Sequence, residues 1–314
     1  MGHNMLRPMF AAPLHWASLW SGDAMRRARA IQRPRILMYH CVGHDDVPVE
    51  QFRRQLRFLR ERFELISLQQ LIDRLTSGST SGNEVVITFD DGVRNQFTVA
   101  YPLLSEQGAP ATIFACPGLI ESGRWIWRTE LRLRLALLSS RERMEVARSA
   151  GCPDYRTEAI LAWAKGLALT VRHDLEARVT ALTREFEPTA QQIDQYAPLT
   201  WQQLDQMDPR LVTIGCHTST HPMLTTLPDD LLQAEIAGSR AALERRLGRE
   251  VDMFCYPNGA NSAAVVEVAR QHYRAALTTR QDFVEAGTDV FMLPRIPASR
   301  GRASFVRRLH RPTA

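Results

Sequence analysis

The chain has 314 residues, 45% hydrophobic and 23% charged, with a formal net charge of +5, which suits one large globular domain or a domain carrying an insertion. That length buries a sizeable core without disulfides or a structural metal, and scattered arginines with no recognisable nucleic-acid motif argue against a nucleic-acid partner. No segment reaches the roughly 18–20 apolar residues of a membrane-spanning helix, and five cysteines in no framework (Cys41, Cys116, Cys152, Cys216 and Cys255) favour a reducing compartment and a packing role.

Residues 1–34 read as an N-terminal arm. The stretch Met9 to Trp20 is broken by Pro13 and His15 after a poor basic start, which does not match a cleaved signal peptide. Trp16, Leu19 and Trp20, with arginines from Arg26, leave two readings: contact with a membrane interface, or a terminal segment packed on the domain. From residue 35 to 314 strand and helix alternate. Arg35–Tyr39 reads as a strand closing on His40, and Val49–Phe63 as a helix with Phe52, Leu56, Leu59 and Phe63 on one face. A short strand at Leu65-Ile66, a helix over Leu68–Leu75 and a strand over Val85–Phe89 follow. Asn95–Gln107 reads as a helix stopped at Gly108, and Ala111–Ala115 as a buried strand.

The span from about 120 to 198, rich in Ala, Leu, Arg and Glu, has no strand pattern and is expected to be a helical insertion within the α/β domain. Trp125, Ile126 and Trp127 at its start read either as a sugar-stacking lip or as anchors. Strands resume at Leu211–Gly215, Val251–Tyr256, Ala275–Thr278 and Phe291–Ile296, with helices over Asp229–Leu247, Ser262–Tyr273 and Arg302–His310. Strands separated by crossover helices imply a mostly parallel sheet, and this many repeats a barrel. The arginine clusters Arg26-Arg27-Arg29, Arg33-Arg35 and Arg300-Arg302-Arg307-Arg308 read first as solvated surface, then as a contact for anionic lipid or glycan.

Two strings carry the chemistry. Thr88-Phe89-Asp90-Asp91-Gly92 sets adjacent carboxylates at the end of an apolar run, and His217-Thr218-Ser219-Thr220-His221 sets two imidazoles four residues apart after another. One carboxylate and two imidazoles are a common ligand set for a catalytic zinc with an open position. The second carboxylate is then free to act as a base towards water activated by the ion. Either string alone is weak, because a paired aspartate is often a turn or helix cap and H-x-x-x-H often two surface histidines. Both close expected strands, and strand ends in an α/β architecture bring distant segments together. The pair therefore reads as a metal-dependent hydrolase.

These residues, with Phe254-Cys255-Tyr256-Pro257-Asn258-Gly259, resemble the polysaccharide deacetylase family, the NodB-homology carbohydrate esterases. Ile36-Leu37-Met38-Tyr39-His40-Cys41-Val42 resembles the M-Y-H-x-V opening of one bacterial branch. Phe52 to Leu59 and Leu293-Pro294-Arg295-Ile296-Pro297 resemble its following helix and terminal strand. The resemblance covers roughly residues 35–120 and 199–300. It implies a deformed (β/α) barrel of about seven strands, Asp91, His217 and His221 as metal ligands, and Asp90 as general base. The implied activity removes an N-acetyl group from an amino sugar of a polysaccharide or glycoconjugate. Zinc is the expected ion, and the same donors accept cobalt, nickel or iron.

Within that reading the Tyr256-Pro257 segment would line the pocket, with the Tyr256 N–H as an oxyanion donor, since Pro257 has none. The late acid histidine and the base-orienting arginine of many members are absent from their usual motifs. His40 is therefore the candidate general acid, against a structural histidine at a strand end. Arg295 is the candidate for orienting the base, against a surface or ion-pair role. Rival activities are deformylation, O-acetyl ester hydrolysis and cyclic-amide hydrolysis; from another class, the chain would be an inactive glycan-binding relative. Cysteine usage favours the cytoplasm, with peripheral contact at the inner membrane as an option and a nucleotide- or lipid-linked sugar as the matching substrate; the alternative is a periplasmic or exported enzyme, since deacetylases of finished polymers usually work outside. Oligomeric state leaves no signal in the sequence.

Overall fold

The computed structural model describes residues 30–43 and 46–312; the expectations for Met9–Trp20 and for Arg26, Arg27 and Arg29 lie outside them. Eight strands follow in chain order: β1 (Arg35–Tyr39), β2 (Glu64–Leu65), β3 (Glu84–Phe89), β4 (Ala111–Ala115), β5 (Val212–Cys216), β6 (Met253–Cys255), β7 (Ala275–Leu277) and β8 (Ile296–Pro297). Every ladder is parallel, in the order β7–β6–β5–β4–β3–β1–β8, with β2 beside the start of β3. Parallel neighbours need crossovers, and helices such as Val49–Arg62, Tyr101–Gln107, Ser239–Leu247 and Ala263–His272 supply them.

The sheet curls until residues 290–297 join its edges. Ala276 N–H donates to Val290 O, Leu293 N–H to Ala276 O and Thr278 N–H to Leu293 O, after which Ile296 pairs with Leu37 of β1. Phe291–Ile296, expected as one strand, therefore changes partners midway, at Pro294, which has no N–H to give a ladder. Only Ile296–Pro297 is a true strand. The parallel barrel expected from the alternation, and deformed as the family resemblance implies, is the observed architecture.

Side chains alternate across the strands. Leu37, Tyr39, Val85, Ile87, Phe89, Ile113 and Ile214 face the helices and pack with Phe52, Leu56, Leu59 and Leu104, whereas Ile36, Val86, Phe114, Met253 and Leu277 form a second cluster. Asp90 continues the parity of Val86 and Thr88, and His217 that of Thr213 and Gly215. The strand pattern that builds the core thus also aims the site.

Two expected helices contain π turns. Asn95–Gln107 opens with one at Gln96–Ala100, and Asp229–Leu247 carries another at Ala234–Gly238. Such turns are frequent at functional sites, and both are used here. Gly108 ends the first helix in the left-handed conformation.

The insertion is helical as expected, with helices Trp127–Leu137, Ser140–Ser149, Thr157–Ala164, Leu169–Leu182 and Ala190–Tyr196 around a core of Trp127, Leu131, Leu135, Ile160, Leu161 and Val179. Trp125 packs against Phe186 and Tyr196, with ring centroids 6.5 and 6.0 Å away, and Trp127 lies under the Arg172 guanidinium at 4.6 Å. Trp127 is buried as an anchor of the insertion, and Trp125, half-buried, packs on its aromatic side chains. Asp194 accepts from Asn95 Nδ2 (3.0 Å) and Thr98 Oγ1 (2.6 Å), and Lys165 Nζ donates to Asn258 Oδ1 at 3.0 Å. The insertion is thereby fastened to the loops after β3 and β6.

Arg35 corrects the surface reading of its cluster. It is fully buried at the start of β1, donating to the carbonyls of Leu309, Arg33 and Ile31 at 2.9 Å each, with Phe63 beneath its guanidinium. Burial lowers its pKa to about 10, against the opposing charge of Glu84. A buried cation so fully hydrogen-bonded ties the segment before β1 to Leu309 at the barrel floor. Among the described residues no helix is long and apolar enough to cross a membrane.

Candidate active site

Register sets the first half of the site. Tyr39 lies opposite Phe89, and Asp90 N–H donates to Tyr39 O at 2.9 Å, so His40 and Asp90 leave the barrel side by side. Asp91 then turns through φ 76° and Gly92 through 61°. A Cβ on Gly92 would sit 2.9 Å from Ala115 Cα, so the turn needs glycine both for its backbone and for its close approach to β4. Reversing at Asp91 separates two consecutive carboxylates: Asp90 is 3% exposed inside the barrel, while the Asp91 side chain is 23% exposed towards the cleft.

Asp90 is locked by a fork. Arg295 Nη1 and Nη2 donate to Oδ1 at 2.6 Å and to Oδ2 at 2.7 Å, and Nε donates to Thr278 O at 2.8 Å. Nη1 also reaches Thr88 Oγ1 (3.3 Å) and Nη2 the Cys255 sulfur (3.1 Å). Burial pushes the Asp90 carboxyl up, but the Arg295 charge and hydrogen bonds override it and hold the group below the usual carboxylate range. Each oxygen keeps a lone pair, so the carboxylate is fixed and still able to accept a proton. Arg295 is fully buried and paired with Asp90, which excludes the surface reading and leaves the base-orienting and ion-pair readings.

The second half follows β5. His217 N–H continues the ladder to Ala115 O at 3.0 Å, and its Nδ1 lies 2.7 Å from Cys255 O. With Nδ1–H donating there, Nε2 presents its lone pair, an orientation that ligating histidines usually share. Nε2 of His217 and of His221 lie 3.5 and 3.4 Å from Asp91 Oδ1, and the two rings are 4.9 Å apart. Burial and then the charge of neighbouring His217 push His221 down to about 4, whereas His217, despite its burial, is held well above the usual imidazole value by Cys255 and Asp91, so a bound ion would have to displace a proton there. One carboxylate oxygen and two imidazole nitrogens thus converge within 4.8 Å of one another, and this donor set fits a divalent ion.

His40 is exposed, and with Asp91, Ile126, Thr129, Gln195 and Tyr196 it lines a cavity of about 190 Å³ walled on one side by the insertion. The structure thus brings His40 to Asp91. It does not bring Tyr256 there. The Tyr256 N–H, expected to face an oxyanion, donates to Leu277 O at 3.1 Å, and its hydroxyl donates to Phe291 O at 3.1 Å. Parallel pairing with β7 consumes that amide. Tyr256 and Pro257 are both buried and serve as packing beneath the loop.

Two site residues escaped sequence reasoning. Gln96, at the first π turn, donates from Nε2 to His40 O (2.8 Å) and Asp90 O (2.5 Å), tying the ends of β1 and β3. Glu235, in the second, accepts from the loop between the two histidines. Neither lies in a motif. Among the described residues the non-glycine positions with left-handed φ are Asp91, Thr218, His221 and Asn258, all in these loops, where each costs about 1–3 kcal/mol unless its surroundings enforce it.

The carboxylate–imidazole cluster lies beyond the carboxyl ends of the parallel strands, where α/β barrel enzymes carry their active sites. The polysaccharide deacetylase profile matches residues 77–151 and 169–276, more than half of the chain. The chain belongs to the polysaccharide deacetylase family, with its NodB-homology fold, and is an enzyme of the deacetylase class. It is 20% identical over 272 residues to YxkH of Bacillus subtilis (strain 168), whose name places it in the same family, covering 85% of this chain and 71% of YxkH. Its fold is similar to that of Streptococcus pyogenes deacetylase PplD in complex with acetate (TM-score 0.60, 20% identity, 86% of this chain and 93% of that one). It is also similar to IcaB from Ammonifex degensii (TM-score 0.60, 18% identity, 90% and 97%).

Proposed function

We propose that this enzyme is a metal-dependent hydrolase that removes an N-acetyl group from an amino sugar of a surface polysaccharide or a lipid-linked glycan precursor. One observation carries the reading: the donor atoms of Asp91, His217 and His221 converge beside a carboxylate, Asp90, held in place by a buried arginine. Asp91, His217 and His221 would hold the ion, with zinc the first choice and cobalt or nickel alternatives. When bound, such an ion supplies a Lewis acid that polarises an amide carbonyl and acidifies water. Asp90 takes the proton of the attacking water. Its fork to Arg295 keeps it ionised and aimed, so little reorganisation accompanies the transfer. His40, across the same cavity, gives the departing amine its proton, without which the amine is a poor leaving group. The insertion wall of Ile126, Thr129, Gln195 and Tyr196 bounds the sugar on one side.

The cytoplasmic placement rests on five buried thiols that form no disulfide, and peripheral contact with anionic lipid rests on the exposed Arg300 and Arg302 near the C-terminal end. The test measures acetate release from a panel of amino-sugar polymers and lipid-linked oligosaccharides, for wild type and Asp90→Asn, with and without zinc, cobalt or nickel. Release that needs both the ion and Asp90 supports the proposal. Formate without acetate makes the enzyme a deformylase, and release unaffected by chelation removes the metal.

A further inference from the structure

The loop between His217 and His221 bends through left-handed φ at Thr218 (66°) and His221 (58°), and it is held there from outside by one carboxylate. Glu235 Oε2 accepts from the consecutive backbone N–H groups of Ser219 (2.8 Å) and Thr220 (2.9 Å), and Oε1 accepts from Thr220 Oγ1 at 2.6 Å. Inside the loop, Thr218 Oγ1 accepts the His221 N–H at 3.0 Å, and at its start Cys116 Sγ, just after β4, donates to His217 O at 3.1 Å. The loop also lies flat on Gly118, where a Cβ would meet Ser219 Oγ at 2.5 Å and the Ser219 carbonyl at 2.9 Å. Glu235 sits in the π turn Ala234–Gly238, whose following residue, Ser239, bonds back to the Glu235 carbonyl at 2.6 Å. The wider turn is thereby locked with Glu235 directed at the loop.

We propose that Glu235 is the positioning residue of the metal centre: its carboxylate fixes the histidine loop in the bend that brings both imidazoles onto Asp91. The inference rests on the metal reading given above and adds a residue to it. Two adjacent amides aimed at one oxygen form an anion-accepting concavity, and carboxylate acceptors give stronger bonds than neutral ones. Geometry, not folding as such, is what this clamp supplies. The loop lies at the barrel mouth, beyond the end of β5, and the core clusters are built without Glu235. With the clamp removed, Thr218 and His221 can relax out of their left-handed conformations, and the imidazoles separate.

The test is zinc affinity of the full chain, by competition with a chromophoric chelator, alongside thermal unfolding of the metal-free protein. Outer-sphere supports of metal sites typically contribute 10–100-fold in affinity. Glu235→Ala is expected to lose that much, with its metal-free melting temperature close to wild type and the visible spectrum of its cobalt form altered. Glu235→Gln, which keeps an acceptor oxygen of the same reach, is expected to recover most of the affinity. Unchanged zinc affinity and cobalt spectrum in Glu235→Ala would overturn the proposal. So would equal metal-free destabilisation of Ala and Gln variants without loss of affinity, which would mark a purely structural contact. A wild-type protein that binds no divalent ion removes the metal reading itself, and with it this role.

Discussion

Replacing Arg295 with methionine is the most direct probe of the site, because it strips a fully buried carboxylate of both charge-assisted hydrogen bonds while keeping a long apolar side chain. Breaking a buried pair by removing one partner costs about 3–5 kcal/mol. The escape route is uptake of a proton by Asp90. From an ordinary carboxyl pKa of about 3.9, that costs roughly 1.36 kcal/mol for each pH unit above it, about 4 kcal/mol at pH 7. The two routes therefore meet at a loss of about 4 kcal/mol. An unfolding entropy of about 2.1 cal/mol/K per residue gives roughly 660 cal/mol/K for 314 residues, so Tm should fall by about 6 °C. The sign with pH follows from linkage. In the wild type the Asp90 pKa is depressed, so its stabilisation is full above the unfolded value and is lost only as pH falls through the lower folded value. In Arg295→Met burial is opposed only by the smaller effects of His217 and His40, so the folded pKa is expected to lie above the unfolded one and the penalty to shrink as pH falls, to about 1.5 kcal/mol near pH 5. Calorimetry at several pH values checks this, with the double variant Asp90→Asn/Arg295→Met recovering most of the loss. The acid limb of kcat/KM should move to higher pH. A loss equal at pH 7 and pH 5, or additive in the double variant, would refute the coupling.

If the proposed metal-dependent deacetylation holds, Asp90→Asn should lower kcat at least 10²-fold, the scale of general-base catalysis, with the divalent-ion content of wild type, as measured by acetate release and metal analysis. His40→Ala should lower kcat on the same scale yet leave Tm within about 1 °C, because the side chain is exposed; full kcat would remove it as the acid. Glu84, whose side chain is fully buried, accepts from Ser81 N–H (2.6 Å) and Arg74 Nη1 (3.2 Å). Burial raises its carboxyl, and those bonds bring it below the usual value. Glu84→Gln should therefore cost about 1–3 kcal/mol at neutral pH, and the difference should fade as pH drops below the ordinary glutamate range; denaturant unfolding at neutral and acid pH reads it.

The alternation of strands and helices, the parallel barrel and the helical character of 120–198 were legible in the sequence because they follow from local periodicity. Most errors fell where a tertiary partner outweighed local preference. Arg35 carries the charge of a surface residue but finds four carbonyls and two aromatic rings in the barrel floor. Phe291–Ile296 has strand composition, but its partner changes in mid-segment. The π turns at Gln96 and Ala234 add a residue to helical patterns that look uninterrupted in sequence.

By itself the sequence determined the chemistry of the site: adjacent carboxylates at one strand end, two imidazoles four residues apart at another, and the family those strings define. Each is a contiguous string, legible whatever the rest of the chain does, although the directions its side chains take are not. The tertiary structure decided the roles that depend on distant partners. Asp90 is held by Arg295 from 205 positions away. The Tyr256 amide is spent on Leu277 by the pairing of β6 with β7. Glu235 reaches back 15 and 16 positions to the histidine loop. A hydrogen bond depends on where two groups meet in space, and only the closed barrel sets those meetings.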